Sequence, residues 1–232
     1  MFSFAKTVND FPELNEQRAY DSEAIYRQLI EDSAEKCYLC GDKLNAKDYQ
    51  VEHFVPHENG LHVEVKFDWH NLFLSCAYCN SKKSSTYNKI GADKAILNPS
   101  EDDISNEIQH FYDPLDLTGN VVVLSATGTS AKADNTIELL EKIYNLHGVV
   151  NPSFKMKREC NELKKAIKNA LLEFRSLIKD LADAEMPSEK DNVARKITIL
   201  LEKPSAFTEF KYGMIAEIKT IKNLLLKEQI GC

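Results

Sequence analysis

Four cysteines in two Cys-x-x-Cys pairs, Cys37 with Cys40 and Cys76 with Cys79, have a spacing that implies chemistry. Each pair lets one tight turn present two sulfurs, and two pairs complete the tetrahedral four-thiolate set that zinc favours. Redox chemistry or a disulfide competes as the reading of a single pair, but two pairs bracketing one short segment favour a structural Zn2+. Between the pairs stand a carboxylate and an imidazole side by side, Glu52-His53, followed by Asn71; Asn80 directly follows the last cysteine. An acid beside a histidine can supply a metal ligand next to a base, the material of a hydrolytic site.

In order and spacing this stretch resembles the HNH endonucleases, whose ββα-metal motif runs acid-His, then Asn, then His or Asn. The resemblance is carried by Glu52-His53 with Pro56 behind them, by Asn71-Leu72, and by the ending from Cys79-Asn80 to Lys83. Asn80 stands where the family name places its last histidine, a variant common within the family. Hydrolysing a phosphodiester needs a base for the attacking water and a cation to stabilise charge on the phosphate and leaving oxygen. His53 is assigned as the general base, because a neutral histidine suits that task near neutral pH. Glu52 is assigned as a metal ligand, with the Asn80 amide oxygen as the second. Two oxygen donors describe a Mg2+ or Mn2+ site that keeps its waters and borrows phosphate oxygens.

By resemblance, Asn71 is not a ligand but fixes the loop carrying His53 through backbone hydrogen bonds. Lys82 and Lys83 are placed to meet a phosphate, and Lys83 joins the catalytic candidates; a solvated lysine is the competing reading. His57 could also contact a phosphate, although His57, His62 and His70 read more simply as loop histidines. Successive side chains on a strand point to opposite faces, so Glu52 and His53 converge only where the strand ends or bends. Pro56 fits such a break.

The elements around this core predict an α+β fold, a ββα-metal core clasped by a four-cysteine zinc site with a hairpin and a helical C-terminal region. Residues 1–36 form the helical lead-in, 37–98 the nuclease core and 99–232 the remainder. A helix is expected over 15–36, with Ala19, Ala24, Ile25, Leu29 and Ile30 at helical spacing and an acidic, solvated face. Strands are expected over 107–115 and 121–126, joined by Leu117-Thr118-Gly119-Asn120, then a helix over 133–146 ended by Gly148. A long helix follows Pro152, with an apolar stripe through Leu163, Ile167, Leu171, Phe174, Ile178 and Leu181. Met186-Pro187-Ser188 breaks it, and helices over 191–202 and 205–229 complete the chain. The portion after the core, to about residue 160, resembles one HNH subfamily, the nuclease subunits of retron-associated and Septu anti-phage systems. That resemblance implies an ABC/SMC-like ATPase as partner.

The net charge is −7, from 29 basic and 36 acidic residues, which is unusual for a nuclease that binds unaided. Lysine and arginine normally supply much of the affinity for the phosphate backbone. Either the basic helix over 155–179 contributes, or another protein presents the DNA or RNA. Two further readings stand beside the endonuclease: a zinc-stabilised nucleic-acid-binding or regulatory subunit with little catalysis of its own, and a self-sufficient HNH nuclease. No apolar run is long enough for a membrane span and no secretory signal is evident. With Cys160 and Cys232 standing alone, the cysteine pattern suits a reducing cytoplasm.

Overall fold

The computed structural model describes residues 1–8, 10–45, 48–112, 120–125 and 130–217. The chain opens with two short helices, α1 (Pro12–Asn15) and α2 (Glu23–Ser33), where the sequence pattern predicts one. Gln17 adopts φ 55° after α1, and the helix restarts only where the Ser22 hydroxyl accepts from the Ile25 amide at 3.5 Å. That break frees Tyr20 from any helix face. Ala34, left-handed at φ 52°, ends α2.

Next come β1 (Tyr49–His53), α3 (Val63–Lys66), β2 (Leu72–Cys76) and α4 (Ala77–Lys83). The two strands pair antiparallel with His53 opposite Leu72, and α4 follows directly, giving the expected ββα unit. The pleat sorts its side chains. Val51, Leu72 and Leu74 pack with Ile25, Leu29 and Trp69 in the N-terminal layer. Phe73 faces the other way, into the main core with Tyr38 and Phe54. His53 therefore belongs to the face covered by the N-terminal segment, and Glu52 to the face covered by α4 and the cysteines.

The remainder comprises α5 (Ile104–Glu107), β3 (Ile108–Tyr112), β4 (Val121–Ser125), α6 (Ala131–Asn145), α7 (Phe154–Asp183), α8 (Pro187–Leu201) and α9 (Thr208–Glu217). The hairpin forms as expected, with Ile108 opposite Ser125 and Tyr112 opposite Val121. Leu115, Leu117, Thr118, Gly119 and Ala126 lie outside the described residues. Leu146, left-handed at φ 58°, stops α6 ahead of Gly148. The α7 stripe divides between two cores: Leu163, Ile167 and Leu171 join the main one. Phe174, Ile178 and Leu181 join a second, with Ala194, Ile197 and Leu201 of α8. Pro187 starts α8 earlier than position 191, because proline is well placed in a first helical turn.

Helix α9 begins at Thr208, and its expected continuation through Ile218, Ile221 and Leu225 lies outside the described residues. It approaches β3 so closely that a Cβ on Gly213 would sit 2.1 Å from the His110 carbonyl oxygen. The main core draws on Phe2, Tyr38, Phe73, Ile108, Tyr144 and Phe210, so the segments expected at 1–36, 37–98 and 99–232 share it. No described helix is long and apolar enough to cross a membrane.

Candidate active site

The four cysteines come together as their spacing predicts. In the first turn the Gly41 amide donates to the Cys37 carbonyl at 2.9 Å, with Gly41 at φ 71°. The second pair caps α4, the Cys76 sulfur accepting from the Cys79 amide at 3.3 Å. The Tyr38 amide bonds the Leu74 carbonyl at 3.1 Å and ties the first turn to β2. All four sulfurs lie within 4.8 Å of one another. A tetrahedral zinc with bonds near 2.3 Å places its sulfurs about 3.8 Å apart, so this donor set fits the ion.

At the end of β1 a cavity of about 410 Å³ is lined by Glu52, His53, Pro56, His57 and Asn80, among others. The strand stops where convergence requires it, and two opposite-facing side chains border one space. His53 Nε2 lies 3.0 Å from the Lys66 carbonyl oxygen. A carbonyl only accepts, so Nε2 carries the proton and Nδ1 keeps the lone pair. The ring packs edge-on against Tyr20 and His57, centroids 4.6 and 4.5 Å away. Burial lowers the His53 pKa to about 4, against the opposing effect of the Lys66 bond. His53 is thus neutral and able to accept a proton at pH 7.

Asn71 is buried and makes the backbone contacts its resemblance implied. Its Oδ1 accepts from the Val55 amide at 2.6 Å, and its Nδ2 donates to the carbonyls of Val55 at 2.9 Å and Val65 at 2.7 Å. One side chain therefore joins the segment after His53 to the segment ending in Lys66, whose carbonyl holds the His53 ring. Asn71→Ala would strand buried groups, at a cost on the order of 3 kcal/mol. It is expected to lower kcat by about 10- to 100-fold through misplacement of His53. Chemical denaturation and a cleavage assay on the same preparation check both figures.

Glu52 is buried, with Oε2 accepting from the Tyr38 hydroxyl at 2.7 Å and Oε1 from Lys83 Nζ at 2.6 Å. Burial raises its pKa, while Lys83 and Tyr38 pull it back. Lys83 was expected to face a phosphate. It is instead buried, held by Glu52 and, at 3.1 Å, by the His53 carbonyl. Removing one partner of such a pair typically costs about 3–5 kcal/mol, because the other charge is left buried alone. Lys82 is likewise buried, its Nζ 5.0 Å from the centre of the Tyr78 ring, and does not line the cavity. Lys83 falls inward where α4 packs on β1, and Lys82 lies beside Tyr78, whose hydroxyl donates to the Ile143 carbonyl of α6 at 2.8 Å.

Asn80 Nδ2 donates to Gln50 Oε1 at 3.0 Å, leaving Oδ1 without a protein donor among the described residues. Each Glu52 oxygen keeps an unused lone pair. The pair fits a hydrated, oxygen-preferring divalent cation, though the nearby ammonium weakens its hold. Tyr20, Tyr38, Gln50 and the Lys66 carbonyl all support the site, and sequence reasoning missed them. Nothing in their local sequence marks them, since each arrives through tertiary packing.

Residues 37–86 match the family model for HNH endonuclease, so the cysteine-clasped ββα unit is an HNH endonuclease domain. The wider chain is similar to the Septu protein PtuB of Bacillus thuringiensis, with 31% identity over 115 residues. The matched segment is 46% of this chain and spans 43% of that relative's length. No solved structure matches the chain.

Proposed function

We propose that this protein is a metal-dependent endonuclease that hydrolyses phosphodiester bonds as the effector of an anti-phage complex with an ATPase. The observation that carries the catalytic part is the convergence of His53, Glu52 and Asn80 on one cavity beside a four-thiolate clasp. His53 Nδ1 takes a proton from the attacking water, while the Lys66 carbonyl and the Asn71 clamp hold the ring in that tautomer. Glu52 and Asn80 would hold Mg2+ or Mn2+, which when bound neutralises charge developing on the phosphate and leaving oxygen. Lys83 keeps the Glu52 carboxylate in position from behind. His53 is the catalytic base in this scheme, Asn71 and Lys83 are positioning residues, and Cys37, Cys40, Cys76 and Cys79 hold structural zinc.

Two observations support the partnership. The similarity to a Septu protein extends beyond the matched HNH residues in length. The net charge of −7 repels a polyanion over roughly a Debye length, about 8–10 Å at moderate salt. Exposed Lys157, Lys165, Lys168, Arg175 and Lys179 on α7 offer the main counterweight. Co-expression with an ABC/SMC-like ATPase should give a stable complex whose cleavage of DNA or RNA exceeds that of the chain alone. Full activity of the lone chain at physiological salt, with no complex formed, would sink the partnership and leave a self-sufficient nuclease.

A further inference from the structure

His57 lines the same cavity as His53, but the backbone holds the opposite nitrogen of its ring, Nδ1 where His53 is held at Nε2. The Gly60 amide donates to His57 Nδ1 at 2.9 Å. An amide N–H can only donate, so Nδ1 holds the lone pair and the neutral ring carries its hydrogen on Nε2. The contact is built into the backbone: His57 caps the 3-10 turn Glu58–Gly60, in which Asn59 and Gly60 take φ 58° and 88°. An ion pair at 3.1 Å between Glu58 and Lys89, both of which line the cavity, fastens the turn. His57 Nε2 has no acceptor among the described residues, and its ring centroid is 4.5 Å from that of His53.

We propose that His57 is a second catalytic residue, a neutral imidazole whose Nε2–H donates a hydrogen bond to a nonbridging oxygen of the scissile phosphate. The proposal rests on the endonuclease reading of the cavity. The two rings divide the labour through their backbone partners. The Lys66 carbonyl makes His53 an acceptor toward the cavity, and the Gly60 amide makes His57 a donor. Charge spreads over the nonbridging oxygens as the phosphoryl group transfers, and a donor already aimed there stabilises that charge without reorganising.

His57 does not act as a general acid in this scheme. Protonating Nδ1 would set it against the Gly60 N–H, and surrendering Nε2–H from the neutral ring would leave an imidazolate. No proton therefore moves through His57. Such a donor fills a gap among the lysines, because Lys82 and Lys83 are buried and Lys89, at the cavity wall, is paired with Glu58.

The test uses the full chain, as wild type, His57→Ala and His57→Gln, each checked for zinc content and melting temperature. Long-range 15N–1H NMR should show the neutral His57 ring carrying its hydrogen on Nε2. Cleavage kinetics should show kcat lowered about 10²- to 10³-fold in His57→Ala, the usual loss for one such donor. His57→Gln, which keeps a neutral N–H, should recover at least about tenfold of that. A neutral ring with its hydrogen on Nδ1 overturns the proposal, and so does a His57→Ala variant that cleaves at the wild-type rate beside an inactive His53→Ala. Absence of cleavage in every protein, wild type included, defeats the endonuclease reading and this proposal together.

Discussion

His53→Ala is expected to abolish strand cleavage, with kcat falling by about 10²- to 10⁴-fold, the usual contribution of a general base. Zinc content and cooperative unfolding should stay close to wild type, because the ring is only half buried and its one hydrogen bond reaches a backbone carbonyl. The pH profile carries a second signature. An ordinary histidine of pKa about 6.5 would be only about one-tenth neutral at pH 5.5. Burial lowers His53 to about 4, so wild-type cleavage should hold at pH 5.5 and fail only nearer pH 4. The sign for stability follows from the same shift. As pH falls from about 6.5 to about 4 the unfolded chain binds the proton first, so stability declines through that window and levels off below it. Near wild-type turnover in His53→Ala would move the active site elsewhere.

Cys76→Ser is expected to cost the protein the zinc proposed for its four thiolates, and with it the cooperative fold. A structural zinc site contributes about 10 kcal/mol or more, comparable to the whole stability of a typical domain. Here the clasp is also part of the main core. Cys37, Cys40 and Cys79 are buried in it beside Tyr38, Phe73 and Tyr144, and the Tyr144 hydroxyl donates to the Cys40 carbonyl at 3.3 Å. Metal analysis should find about one zinc per wild-type chain and far less in the variant. Circular dichroism on heating should lose its sharp transition. A zinc-free variant melting like wild type would show that the four thiols are not a metal clasp.

The sequence exposed this site wherever chemistry depends on local spacing. Two residues between paired cysteines suffice for a knuckle, and Cys76 doubles as a helix cap because its partner is three positions on. Glu52 and His53 needed one further condition, a strand ending at His53, and Pro56 signalled it. Lys83 was misread because its direction depends on how α4 is rotated against β1, where Glu52 and the His53 carbonyl hold it, and no local pattern encodes that. Tyr20 was hidden for a related reason. Its apolar neighbours fit a continuous helix, and only the left-handed Gln17 and the Ser22 cap release it to cover His53. The tautomer of His57 was equally out of reach, since one amide in a tight turn decides it.

Strand cleavage by the zinc-loaded chain, with and without added Mg2+ or Mn2+, tests the central claim most directly. Labelled DNA and RNA should be offered to wild type and to His53→Ala, with and without the proposed ATPase. Cuts should appear in at least one nucleic acid only when wild type and the divalent ion are both present. Cleavage that persists after the added ion is withheld and traces are chelated, with zinc content unchanged, would contradict the Glu52 and Asn80 metal site. Equal cleavage by His53→Ala would contradict the account as a whole.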